Sequence, residues 1–218
     1  SLPEAGSNFL RPLARSFGGA RVALSVDLGM YEVDSRVADI VKKSADVFAS
    51  LGVLVEECSP DLRGADEIFQ TLRARTFSVL MKEDYIKHPE SMKESLIWNI
   101  EKGLHLTQSE IVEAETQRRA LMVRVSGFFQ RYDFLVCPSA QVPPFDVTEE
   151  WVQSINGKKM QTYLDWMGIC YAVTVTGLPA ISIPAGFTDD GLPVGIQIVG
   201  SRGDDWGVLQ LAYAFERE

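Results

Sequence analysis

Histidine and cysteine are scarce in this chain, with two His and three Cys among 218 residues. A cysteine nucleophile needs a neighbouring base. Neither histidine is placed to supply one, since His88 stands beside a helix break and His105 in a short inter-helix loop. Cys58, Cys137 and Cys170 are far apart, odd in number and set among apolar residues. That pattern suits reduced, buried thiols in a cytoplasmic compartment and contains no zinc spacing. Runs of Lys and Arg are missing too, and the formal charge is −9. Without a basic field there is no basis for nonspecific binding to nucleic acid or to an anionic membrane. No apolar run reaches transmembrane length, and no signal-like segment stands at the start. Paired carboxylates, repeats and low-complexity tracts are likewise lacking. Asp189-Asp190 reads as a turn and Asp204-Asp205 as a helix cap. Gly18-Gly19 is too short for a phosphate loop and precedes a strand instead of following one.

What is present is the composition of an ordinary globular α/β protein, 46% apolar and 23% charged. The organising stretch runs from Gly177 to Gly200, GLPAISIPAGFTDDGLPVGIQIVG. Ala180 to Ile183 forms a β-favouring run that Pro184 limits, because proline cannot donate to a sheet ladder. Asp189, Asp190 and Gly191 make a turn. Val194 to Val199 then makes a second strand, apolar on both faces and therefore central. Gln197 is its one amide and must find partners for its donors and acceptor.

In chain order, residues 1–19 read as a lead-in linker, and residues 20–218 as one folded unit. Arg21 to Val26, a helix capped by Asp34 and stopped by Gly52, and a strand at Val53 to Val55 form a β-α-β unit of parallel-crossover length. Helical spacing covers residues 66–86 up to His88-Pro89, and a shorter piece around Met92 to Lys102 ends at Gly103. Thr107 and Glu110 form a capping box ahead of a long helix. Phe134 to Cys137 reads as a strand leading into a loop stiffened by Pro143 and Pro144, a site candidate because ligands gather beyond the carboxyl ends of strands. Asn156-Gly157 marks a turn. Met160 to Thr174 repeats at helical spacing, and Asp204 or Asp205 caps a last helix.

At this point the residues resemble the C-terminal half of the amidase signature family. The resemblance is carried by GLPAISIP followed by DGLPVGIQIVG, by FLVCPSAQVPPF, and by RVALSVDLGM with its following helix, in that family's order and spacing. It implies part of a mixed β-sheet flanked by helices and an amide hydrolase or amidotransferase subunit. It implies no metal and no cofactor, and catalysis by a serine nucleophile, a second serine and a lysine. The glycine- and serine-rich signature and the triad precede the matched region in that family. The resemblance therefore implies a parent amidase whose N-terminal half is this chain's partner, a small-molecule amide as substrate, and a fragment inactive by itself. A non-catalytic binding module on the same scaffold is the alternative. A transfer-RNA-dependent amidotransferase subunit fits the helical segment before Gly177 less well than a general amidase does.

The same resemblance puts Trp98 and Glu101, the segment Tyr163, Asp165, Trp166, Met167 and Cys170, and the loop residues Ser139 and Gln141 beside the substrate cleft. Packing or solvation is the plainer reading of each except Asp165, for which a pocket role and a helix-starting role weigh equally. If Trp and Tyr line the cleft, an apolar or aromatic acyl group is favoured. Removing half of a shared sheet also leaves an unpaired edge, which invites dimerisation or self-association.

Overall fold

The computed structural model describes residues 5–218. Its centre is a mixed five-stranded sheet built from β1 (Arg21–Leu24), β2 (Leu54–Glu57), β3 (Phe134–Pro138), β6 (Ala180–Phe187) and β7 (Pro193–Gly200), in the order β2-β1-β3-β7-β6. Pairing is parallel for β1 with β2 and with β3, and antiparallel for β7 with β3 and with β6. The parallel crossover from β1 to β2 runs through α1 (Ser35–Ser50). Asp34 caps α1 by accepting from Arg36 N, and Gly52, at φ 77°, closes the turn into β2. A small hairpin, β4 (Ser154–Ile155) and β5 (Lys158–Lys159), turns at Asn156-Gly157.

β6 runs through Pro184 to Phe187, further than the proline was expected to allow. The strand lies at the sheet margin, where a missing N–H interrupts no ladder, and an irregularity between Pro184 and Gly186 absorbs the misfit. β7 is flanked on both sides, and Gln197 donates to Pro138 O at 2.9 Å.

The remaining helices are α2 (Ala65–Leu80), α3 (Lys82–Lys87), α4 (Glu94–Leu104), α5 (Gln108–Phe128), α6 (Gly168–Thr176) and α7 (Asp205–Phe215). Three details refine the sequence reading. The helical stretch over 66–86 breaks at Met81, giving α2 and α3. Gly103 is the last residue but one of α4, and a Cβ there would sit 2.0 Å from Ala74 O, so the glycine permits α2 and α4 to cross closely. Met160 to Leu164 precede α6, which starts only at Gly168, after a 3₁₀ turn over Asp165–Met167. A Cβ at Gly168 would meet the Tyr31 ring at 2.4 Å. The Thr107–Glu110 capping box is formed as expected, and Asp204 caps α7 by accepting from Gly207 N.

α1 and α7 pack on β6 and β7, while α2, α4, α5 and α6 pack among themselves. Phe48, Phe134, Ile68, Leu121, Ile196 and Ile198 are among the fully buried residues. Each such side chain contributes about 1.5–3 kcal/mol from burial alone. Packing also precedes β1, where a 3₁₀ turn spans Gly6–Leu10, Phe9 meets Trp206 edge-on and Phe17 is buried. No helix among the described residues is long and apolar enough to cross a membrane.

Candidate functional site

β3 ends at Pro138, and the chain turns at once into the proline loop. Ser139 stays tied to the sheet, since its N–H donates to Gly195 O at 2.9 Å and its carbonyl accepts from Cys170 Sγ at 2.9 Å. This leaves its hydroxyl free to meet that of Ser182 on β6, with 2.6 Å between the two oxygens. Gly195 makes the approach possible, because a Cβ there would lie 3.0 Å from Ser139 Oγ. Among the described residues, neither hydroxyl has a histidine, lysine or carboxylate partner. The pair can orient a polar ligand but has no base to make either oxygen a nucleophile.

Beside this pair the loop encloses a cavity of about 410 Å³, lined by Ser139, Pro143, Pro144, Phe145, Trp166 and Gly195 among others. Phe145 and Trp166 meet edge-on at 5.3 Å between ring centroids, and Trp166 Nε1 is buried without a hydrogen-bond partner among the described residues. Val152, Ile155 and Met160 support the Trp166 side as a small separate apolar cluster.

Gln141 is 1% exposed, and the surrounding chain engages both ends of its amide. Nε2 donates to Glu32 O at 2.9 Å and to Asp165 O at 3.1 Å, while Oε1 accepts from Ile169 N at 3.2 Å. It clamps the proline loop to α6. The Asp165 carboxylate is similarly engaged, accepting from Gln161 N, Thr162 N and the Thr162 hydroxyl. The Cys137 and Cys170 thiols are both pushed up by burial, so neither is a ready thiolate.

The other sequence-predicted residues gather elsewhere. Trp98 and Tyr163 meet edge-on at 6.2 Å, and the Tyr163 hydroxyl accepts from Asn99 Nδ2. Glu101 is exposed and accepts from the Tyr85 hydroxyl at 2.9 Å. Met167 packs half-buried against the main core. The structure therefore brings Ser139, Gln141, Asp165, Trp166 and Cys170 together around the proline loop, and Trp98 with Tyr163 in a second group.

Two features escape the sequence. Ser182 reads there only as a strand residue, although its alternation with Ile181 and Ile183 places it on the opposite face from them. The Asp66 carboxylate accepts from the Tyr31 hydroxyl at 2.6 Å and from the Tyr171 hydroxyl at 2.9 Å, joining the segment after β1 to α2 and α6. Desolvation and that carboxylate hold both phenols well above their ordinary range. No linear pattern links residues 31, 66 and 171.

Comparison with known proteins gives consistent results. A family profile described as Amidase matches residues 1–209. The acylamidase of Rhodococcus erythropolis is 28% identical, the match covering 99% of this chain and 46% of that protein. A glutamyl-tRNA(Gln) amidotransferase subunit of Thermodesulfovibrio yellowstonii is 26% identical, with 100% and 49% covered. A bacterial aryl acylamidase of the amidase signature enzymes superposes with a TM-score of 0.84 at 25% identity, covering 94% of this chain and 44% of that one. The chain spans about half the length of the curated relatives it matches.

Proposed function

Because the chain belongs to the amidase signature family, we propose that it forms the C-terminal half of an enzyme that hydrolyses a carboxylic amide to an acid and ammonia or an amine. The observation that carries this reading is the family match over residues 1–209, at about half the relatives' length. The serine nucleophile, the second serine and the lysine belong to the other half of the parent protein. That lysine must be neutral when it receives a proton, and backbone N–H groups of the glycine- and serine-rich signature hold the oxyanion. This chain contributes scaffold and part of the pocket wall.

The open side of β6 supports the assignment. β6 pairs only with β7 among the described residues, and Ala180, Ser182 and Pro184 are exposed on it. A sheet that continues into a second half would use that margin, bringing the Ser139–Ser182 pair toward the reacting centre. The apolar wall of Phe145 and Trp166 favours an aryl or alkyl acyl group over a charged one.

Hydrolysis of a simple anilide tests the reading. The protein carrying both halves should turn it over, and the 218-residue chain alone should not. Turnover by the chain alone would overturn it, and Ser139 and Cys137 would then be the first residues to replace. Within the active protein, Trp166→Ala should shift the relative rates on aryl and alkyl amides by about tenfold. An unchanged ratio would remove Trp166 from the pocket.

A further inference from the structure

A second cavity, of about 290 Å³, lies where α2, α5 and α6 meet and shares no lining residue with the proline-loop cavity. Its apolar lining comes from Phe69, Leu72, Phe77 and Val175, and its polar lining from Thr76, Thr174 and two arginines, Arg73 and Arg118. The Arg73 guanidinium carbon lies 4.5 Å from the Phe77 ring centroid and 5.6 Å from that of Phe69. The only hydrogen bond of that guanidinium among the described residues is a long one to the Tyr163 hydroxyl at 3.4 Å, and its Nε is buried with no partner. Arg118 donates from Nε to Val175 O at 2.9 Å near the end of α6, and its Nη2 passes 3.4 Å from where a Cβ on Gly177 would stand. Its terminal nitrogens make no hydrogen bond among the described residues.

Neither arginine forms an ion pair among the described residues, although neighbours on the same helices do. Arg75 pairs with Glu115 at 2.7 Å and Arg124 with Asp61 at 3.3 Å. In a chain of net charge −9, acids to pair with them are plentiful. Two guanidinium groups without a carboxylate, lining one apolar cavity, therefore present free donors of fixed fork geometry. The aromatic rings on the same wall suit a flat or apolar body, and the volume admits a ligand of roughly benzoate to phenylacetate size.

We propose that this cavity binds a small organic carboxylate, its aryl or alkyl body against Phe69, Leu72 and Phe77 and its carboxylate on Arg73 and Arg118. This inference uses neither the proline loop nor the Ser139–Ser182 pair, and it touches the amide-hydrolysis reading only through Tyr163, which Arg73 reaches. The test is calorimetric titration of the protein, at its natural length, with phenylacetate, with the neutral 2-phenylethanol and with inorganic phosphate. Phenylacetate should bind at least tenfold more tightly than either comparator. Arg73→Met should weaken it at least tenfold while far-UV circular dichroism is unchanged, and Arg73→Lys, which keeps the charge but loses the fork, should fall between. The Lys variant decides the matter if the Met variant does not fold. Equal binding of 2-phenylethanol, preferential binding of phosphate, no binding of phenylacetate, or affinity indifferent to both substitutions would each overturn the proposal.

Discussion

β6 and β7 are neighbouring strands of eight residues each, joined by one tight turn and alike in apolar content, yet they end in different environments. β7 is buried at Val194 and from Ile196 to Gly200, whereas β6 is buried only at Ile183. The difference comes from sheet position. β7 has β3 on one side and β6 on the other, while β6 has a partner on one side alone among the described residues. β-propensity measures fit to a pleated, half-buried surface, so two strands of similar composition acquire different energetic weight from their neighbours. The same contrast explains the proline, which the margin tolerates and a central strand would not.

That contrast can be tested by substitution. Ile196→Ala, at a fully buried site in β7, should destabilise the chain by about 3 kcal/mol in urea unfolding, and Ile181→Ala in β6 by about 1 kcal/mol. Equal losses would break the comparison. Gln197→Leu removes the donor to Pro138 O and should cost about 1–2 kcal/mol, with no comparable loss for Ser182→Ala on β6.

A smaller effect follows from the thiols beside β7 and α6. Burial raises Cys137 and Cys170 in the folded chain, so folding keeps both protonated where the unfolded chain would ionise. Their contribution to stability is therefore complete below an unfolded thiol pKa of about 8.5 and is lost as pH rises from there toward the folded values. Stability should fall by about 1 kcal/mol from Cys137 by about pH 9.5, and Cys137→Ala should flatten that slope. A slope unchanged by the substitution would assign the effect elsewhere. The smallest change in stability is expected at the margin itself. Phe187 is 70% exposed, so Phe187→Lys should alter stability by under about 0.5 kcal/mol while reducing self-association of the isolated chain in sedimentation. Unchanged association would place the contact elsewhere.

The features legible in the sequence were local or periodic. Asp34 and the Thr107–Glu110 box announced their helices because a cap acts within three residues. Both apolar faces of residues 194–199 announced a central strand, and the lone amide of Gln197 announced a hydrogen bond that Pro138 O supplies. Less legible were the start of α6 at Gly168, which lies against Tyr31 of a distant segment, and the role of Gly103, which depends on Ala74 of another helix. Spacing alone could not separate a helix from a loop that packs with similar spacing.

The chain's own order of residues determined its family likeness, its parallel β-α-β start and its antiparallel close, because caps, turns and alternation are encoded between near neighbours. Tertiary structure alone decided that Ser139 meets Ser182, that Gln141 clamps the loop to α6, and that Arg73 and Arg118 line one cavity. Those residues stand 43, 28 and 45 positions apart. Contacts at such separations depend on how helices and strands pack across the core, which no local pattern records.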